Sequence, residues 1–73
     1  MPHITIKTYP GVTEEQKQKL TQAIINDVIT ITGKNEAAIS IDIIEVPENE
    51  WMEKVYDPNI KPNLDRLYKK PGY

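Results

Sequence analysis

Cysteine is absent from this 73-residue chain, and histidine occurs once, as His3. The first absence excludes disulfide staples, thiolate nucleophiles and cysteine-held metals; the second excludes a multi-histidine metal site. Glycine is scarce and scattered, at Gly11, Gly33 and Gly72, so no glycine-rich loop is available to cradle a phosphate. Positive charge is not in excess either. Nine Lys and Arg stand against eleven Asp and Glu, a formal charge of −2, without the basic face of a nucleic-acid binder. No apolar run approaches the roughly 18 residues of a membrane-spanning helix. Met1-Pro2-His3 does not open the basic-then-apolar pattern of a secretory signal. The chain reads as a soluble, cytoplasmic protein with no nucleic-acid or membrane partner. A chain this short buries only roughly 60% of its unfolded surface. With the common staples missing, self-association is the remaining support.

What is present is ordered along the chain. Residues 3 to 8 alternate, with Ile4 and Ile6 on one face and His3, Thr5 and Lys7 on the other, which predicts a half-buried strand. Tyr9-Pro10-Gly11 ends it. Thr13 and Gln16 have the spacing of a capping box, and Glu14 and Glu15 suit the positive end of a helix dipole. Leu20, Ala23, Ile24, Val28 and Ile31 repeat at helical spacing up to Gly33, the natural stop, while Ile25 and Ile29 widen the stripe. Residues 38 to 46 read as a second strand, with Ile39, Ile41 and Ile43 on one face and Ile44 and Val46 on the other. Strand, helix and strand joined in this way make a right-handed crossover with parallel strands. Two strands alone do not make a stable sheet, so the remainder is expected from another subunit.

The tail differs in character. Residues 50 to 56 predict a short helix ended by Asp57-Pro58, and Ile60, Leu64, Leu67 and Tyr68 share one face of a further helix stopped by Pro71-Gly72. The expected architecture is α+β: a β-α-β subunit with parallel strands and an extra C-terminal helix, its sheet completed by a second subunit. Residues 1–73 form a single domain in this reading, with the core at 2–46 and a helical tail at 47–73.

The usual catalytic constellations are missing. Ser40 and the threonines have only His3 as a conceivable base, and Glu48 and Glu50 fall in a polar, solvated stretch. What remains is Pro2. Removal of an initiator methionine before a small residue leaves proline with a free secondary amine. An α-amino group titrates at about 7.7–8.0 when unperturbed. Proline's is somewhat more basic, and its ring prevents free rotation. Burial in an apolar pocket disfavours the charged form and gives a neutral, rigid base near operating pH. The same amine can also attack a carbonyl as a nucleophile. With Met1 attached, the nitrogen is an amide without basicity.

Met1-Pro2-His3-Ile4-Thr5-Ile6, then Glu15-Gln16-Lys17 opening the helix, Ile39-Ser40-Ile41 and Trp51, resemble the 4-oxalocrotonate tautomerase family over about residues 2 to 52. The ending Leu67-Tyr68-Lys69-Lys70-Pro71-Gly72-Tyr73 is similar to its dimeric, phenylpyruvate-type branch. The resemblance implies a β-α-β subunit that dimerises into a four-stranded sheet. It also implies keto–enol tautomerisation of a small 2-oxo acid or its enol, with Pro2 as the catalytic proton carrier and no metal or organic cofactor. The best-known members of the family use an arginine in the first loop, where Val12 stands, and another in the second strand, where Ser40 stands. Neither can form a guanidinium fork, so a less charged substrate than a dicarboxylate is expected, with Arg66, Lys69 or Lys70 as a replacement cation. Trp51 stands at the family's aromatic wall. Tyr9, where strand meets loop, is placed at the pocket mouth. A homodimer is favoured over a hexamer, because the tail after Trp51 blocks further association. The alternatives are decarboxylation, hydration or dehalogenation of a small acid by the same amine, or a non-catalytic oligomeric binding module.

Overall fold

The computed structural model describes residues 1–73. Strand β1 (His3–Thr8) leads to helix α1 (Glu14–Thr32), and a single 3₁₀ turn at Glu36–Ala38 leads into strand β2 (Ser40–Glu45). Beyond β2 lie a 3₁₀ turn at Glu48–Glu50, a π-helix at Met52–Ile60 and a 3₁₀ segment at Lys61–Arg66. β1 and β2 pair in parallel, from His3 opposite Ser40 to Thr8 opposite Glu45. Because side chains alternate across a strand, this register puts Ile4 and Ile6 beside Ile41 and Ile43 on one face. His3, Thr5 and Lys7 lie beside Ser40, Asp42 and Ile44 on the other.

Helix α1 covers the isoleucine face. Lys17 and Thr21 border a groove with Ile41 and Ile43, and the Lys17 Nζ reaches Glu45 at 3.3 Å. Its start is the expected capping box: Thr13 Oγ1 accepts from the Gln16 N–H at 3.1 Å, and Gln16 Oε1 accepts from the Thr13 N–H at 2.9 Å. It ends at Gly33, whose φ of 72° is left-handed and whose N–H donates to the Ile29 carbonyl at 3.0 Å. Ile24, Ile25, Val28 and Ile29 are half-buried, but Leu20, Ala23 and Ile31, expected on the same stripe, are exposed, Ile31 at 80%. Near the start of the helix Lys17 and Thr21 take the positions beside Ile41 and Ile43, which turns Leu20 and Ala23 outward. For Ile31 the reason is length. Nineteen helical residues extend about 28 Å, whereas six strand residues extend about 20 Å, so the last helical turn overruns the sheet.

The tail packs on the opposite face of the sheet. Lys7 Nζ donates to Asn59 Oδ1 at 2.9 Å, and Val55 and Asn59 lie over Thr5 and Lys7. Val46 and Val55 are the two enclosed side chains of the chain. The expected tail helices take a different form. The helix does not stop at Asp57-Pro58 but passes through Pro58 as a π-helix, closed by the Lys61 N–H donating to the Tyr56 carbonyl five residues back. Proline lacks an N–H and crowds the carbonyl four residues before it; a wider turn accommodates both defects. Nor does a helix continue to residue 70. Leu67 is already extended and Tyr68 is fully exposed, so Tyr68 leaves the face that Ile60, Leu64 and Leu67 share. β2 is also shorter than expected: Ala38 belongs to the 3₁₀ turn, Ile39 caps it and Val46 follows the strand.

Much apolar surface stays open. A compact chain of 8.4 kDa exposes about 4,600 Å²; this one exposes 5717 Å². Its radius of gyration of 13.9 Å exceeds the about 11 Å of a compact chain of this length. No helix is long and apolar enough to cross a membrane.

Candidate active site

The two ends of β1 carry different chemistry. At its head, Pro2 is half-buried and its carbonyl accepts from the Ser40 N–H at 3.1 Å, the first rung of the parallel ladder. Met1 projects away, 89% exposed. Ser40 Oγ lies 2.6 Å from His3 Nδ1, and Thr5 Oγ1 lies 3.2 Å from His3 Nε2. The histidine ring is therefore spanned by two hydroxyls on the sheet face opposite α1, and its tautomer sets which of them donates. Pro2 is on the helix side of the strand by alternation, with His3 on the other.

At the tail of β1 the side chains are aromatic. Tyr9 meets Trp51 edge to face with ring centroids 5.0 Å apart, a favoured geometry for the two quadrupoles. The Trp51 Nε1–H donates to Tyr73 Oη at 2.9 Å, and the Tyr73 ring tilts against Tyr56 at 5.9 Å. Lys7, Thr8, Tyr9, Trp51 and Tyr73 line a groove of about 320 Å³. The tail thus returns to the sheet and seats its last residue on the indole. Sequence reasoning did not find Tyr73 or Lys7 as groove residues. Tyr73 follows Pro71-Gly72, and no local pattern states where such a segment turns.

The expected site residues therefore fall into separate groups. Ser40 is with Pro2 and His3; Tyr9 is with Trp51; Val12 is half-buried just before the Thr13 cap and lines none of the grooves. Six residues of strand put Pro2 roughly 20 Å from the aromatic pair within one chain. The cations named as replacements for arginine are also elsewhere. Arg66 Nε donates to Asn63 Oδ1 at 3.1 Å and Lys69 Nζ to the Lys70 carbonyl at 3.4 Å, and none of Arg66, Lys69 and Lys70 lines the aromatic groove. Lys54 lies in the tail, one helical turn beyond Trp51. It is raised above the usual lysine value, first by its hydrogen bond to Glu50 and then by the charge of that carboxylate.

A strand that begins at residue 3, a capped crossover helix and a parallel return strand match a known pattern. Residues 2–55 fit the family model described as Tautomerase enzyme. The chain belongs to the tautomerase family. A probable tautomerase of Xylella fastidiosa (strain 9a5c) is 36% identical over 73 residues, all of this chain and 89% of that one. Tautomerase PptA of Pectobacterium carotovorum subsp. carotovorum (strain PC1) is 38% identical over 74 residues, covering 100% and 97%. Among solved structures, YwhB, a homologue of 4-oxalocrotonate tautomerase, superposes with a TM-score of 0.62 at 34% identity, over 64% of this chain and 77% of its own. DmpI from Helicobacter pylori does so with a TM-score of 0.63 at 39% identity, over 66% and 81%. This tautomerase is accordingly an isomerase, an enzyme that interconverts tautomers of a small molecule. The match to solved structures covers about two thirds of the chain, whereas the PptA match covers it entirely.

Proposed function

We propose that the enzyme interconverts the keto and enol forms of a small 2-oxo acid, that Pro2 is its general base once Met1 is removed, and that its site is assembled in a homodimer. One observation carries the reading: Pro2 is half-buried directly at the first rung of the sheet, with its carbonyl held by Ser40 and no loose segment between its ring and the fold. An amine there is rigid, and desolvation keeps it neutral. The neutral nitrogen takes the enol hydroxyl proton, and the resulting secondary ammonium delivers a proton to the carbon, so the enol becomes a ketone with no net gain or loss. Substrate binds near Trp51, Tyr9, Ser40 and Val12, the last two being the positions where arginines stand in other members of the family. No metal or organic cofactor takes part.

The homodimer is supported by area and by distance. The surplus surface, about 1,100 Å² over a compact chain, is of the order of the ~800 Å² that each partner gives to a standard interface. A twofold axis normal to the sheet reverses strand direction. It sets the aromatic end of one subunit's β1 alongside the head of the other's, shortening the separation of roughly 20 Å along the strand that one chain leaves open. The tail occupies the sheet face opposite α1 and favours stopping at a dimer.

The test is Pro2→Ala, assayed by the loss of enol absorbance of phenylenolpyruvate, on protein whose intact mass confirms that methionine is gone. Turnover falls about 10²-fold or more. Undiminished turnover by the variant contradicts the role.

A further inference from the structure

Lys7 is the lysine that lines the groove beside Trp51. Lys17, Lys19 and Lys54 are each paired with a carboxylate, of Glu45, Glu15 and Glu50. Lys7 is in no ion pair; its Nζ donates to the neutral amide oxygen of Asn59 at 2.9 Å. Its charge is held in position without being cancelled. It borders the aromatic groove with Tyr9, Trp51 and Tyr73, and also the adjoining groove with Thr5, Val55 and Asn59.

We propose that Lys7 is the residue that binds the substrate carboxylate, with the Tyr9–Trp51–Tyr73 groove seating the rest of the molecule. The argument is by position and by chemistry. Val12 and Ser40 carry no charge, Arg66 and Lys69 are engaged in other contacts, and neither they nor Lys70 reach the groove. Lys7 alone joins an uncancelled cation to the aromatic walls. An ammonium is a compact point charge, satisfied by a single carboxylate without the planar fork that arginine requires. Asn59 fixes the stem, and the ammonium's two remaining protons stay free for the ligand. The aromatic faces accept a flat apolar group, and the Tyr73 hydroxyl locks the indole that forms one wall. Lys7 is thus a binding residue, setting a preference for acids over neutral analogues. The inference rests on the tautomerase reading of the site but not on proline being the base.

Trp51 is the chain's one tryptophan, so its fluorescence reports occupancy of this groove without turnover. The test titrates the full-length protein with cinnamate, an unreactive aryl carboxylate, and with cinnamamide, its neutral counterpart. In the wild type, cinnamate binds about tenfold more tightly than the amide, and the margin shrinks with added salt. Lys7→Met removes that margin by weakening cinnamate alone, and Lys7→Arg restores most of it. In turnover, Lys7→Met raises KM for the acid about tenfold while kcat holds within about threefold. Equal weakening of both ligands, or an acid preference that survives in Lys7→Met, overturns the proposal. Pro2→Ala keeps the cinnamate preference while losing turnover, so failure of the base assignment and failure of the Lys7 assignment are told apart.

Discussion

Pro2 differs from every other residue in what its nitrogen becomes when Met1 leaves: an amide turns into a secondary amine. In the proposed dimeric site, the apolar wall at Trp51 is what disfavours the charged form of that nitrogen. Replacing Trp51 with a small polar residue readmits water, so the amine's pKa rises. Trp51→Ser is expected to move the acid limb of the kcat/KM profile to higher pH, with activity recovering as pH is raised; an unmoved limb would separate Trp51 from the base. Ser40 makes two contacts at this end of the strand: its N–H donates to the Pro2 carbonyl, and its hydroxyl meets the His3 ring. Ser40→Ala removes only the second. It should cost about 1 kcal/mol of stability and less than tenfold in kcat/KM, as measured by thermal melts and initial rates. A loss as large as that of Pro2→Ala would make the hydroxyl a catalytic participant.

Among the elements, α1 carries its own instructions. Thr13, Gln16 and Gly33 settle its ends by local hydrogen bonds, and the residue types and their spacing alone are enough to place both ends. Thr13→Ala breaks the capping box and is expected to cost about 1 kcal/mol, a fall in Tm of about 4–8 °C for a chain of this size. A Tm change under about 1 °C would mean that the helix start is held by tertiary contacts instead. Gly33→Ala forces a Cβ into a left-handed backbone and costs about 1–2 kcal/mol. The faces of the strands are equally readable, because alternation of Ile4 and Ile6, and of Ile41 and Ile43, has one period only; the ends of β2 are not, since alternation continues into the flanking turn. The tail is not. Its π-helix runs through Pro58 with Val55 enclosed against the sheet, and Tyr73 finds Trp51 across 22 residues. Neither contact leaves a period in the sequence. The same holds for the proposed site: the sequence singles out Pro2 and Trp51, but their placement at opposite ends of β1 follows only from the strand register and the returning tail.

At the scale of the molecule, one subunit buries too little. Two enclosed valines and a two-stranded sheet do not offset the ordering entropy of 73 residues. Stability should therefore depend on subunit concentration. Dilution is expected to lower Tm, and light scattering to give the mass of two subunits. A concentration-independent melt with a one-subunit mass would contradict the dimer, and a six-subunit mass would show that the tail does not block further association.

The central claim is that the chain begins, after processing, with an amine kept neutral by its surroundings. Its most direct test is an NMR titration of protein carrying ¹⁵N-labelled proline, with the Pro2 resonance followed across pH. The account predicts that Pro2 titrates clearly below the range of a free prolyl amine, near neutrality. A nitrogen that keeps its proton well into alkaline solution, or that never titrates because methionine is still bonded to it, would contradict it.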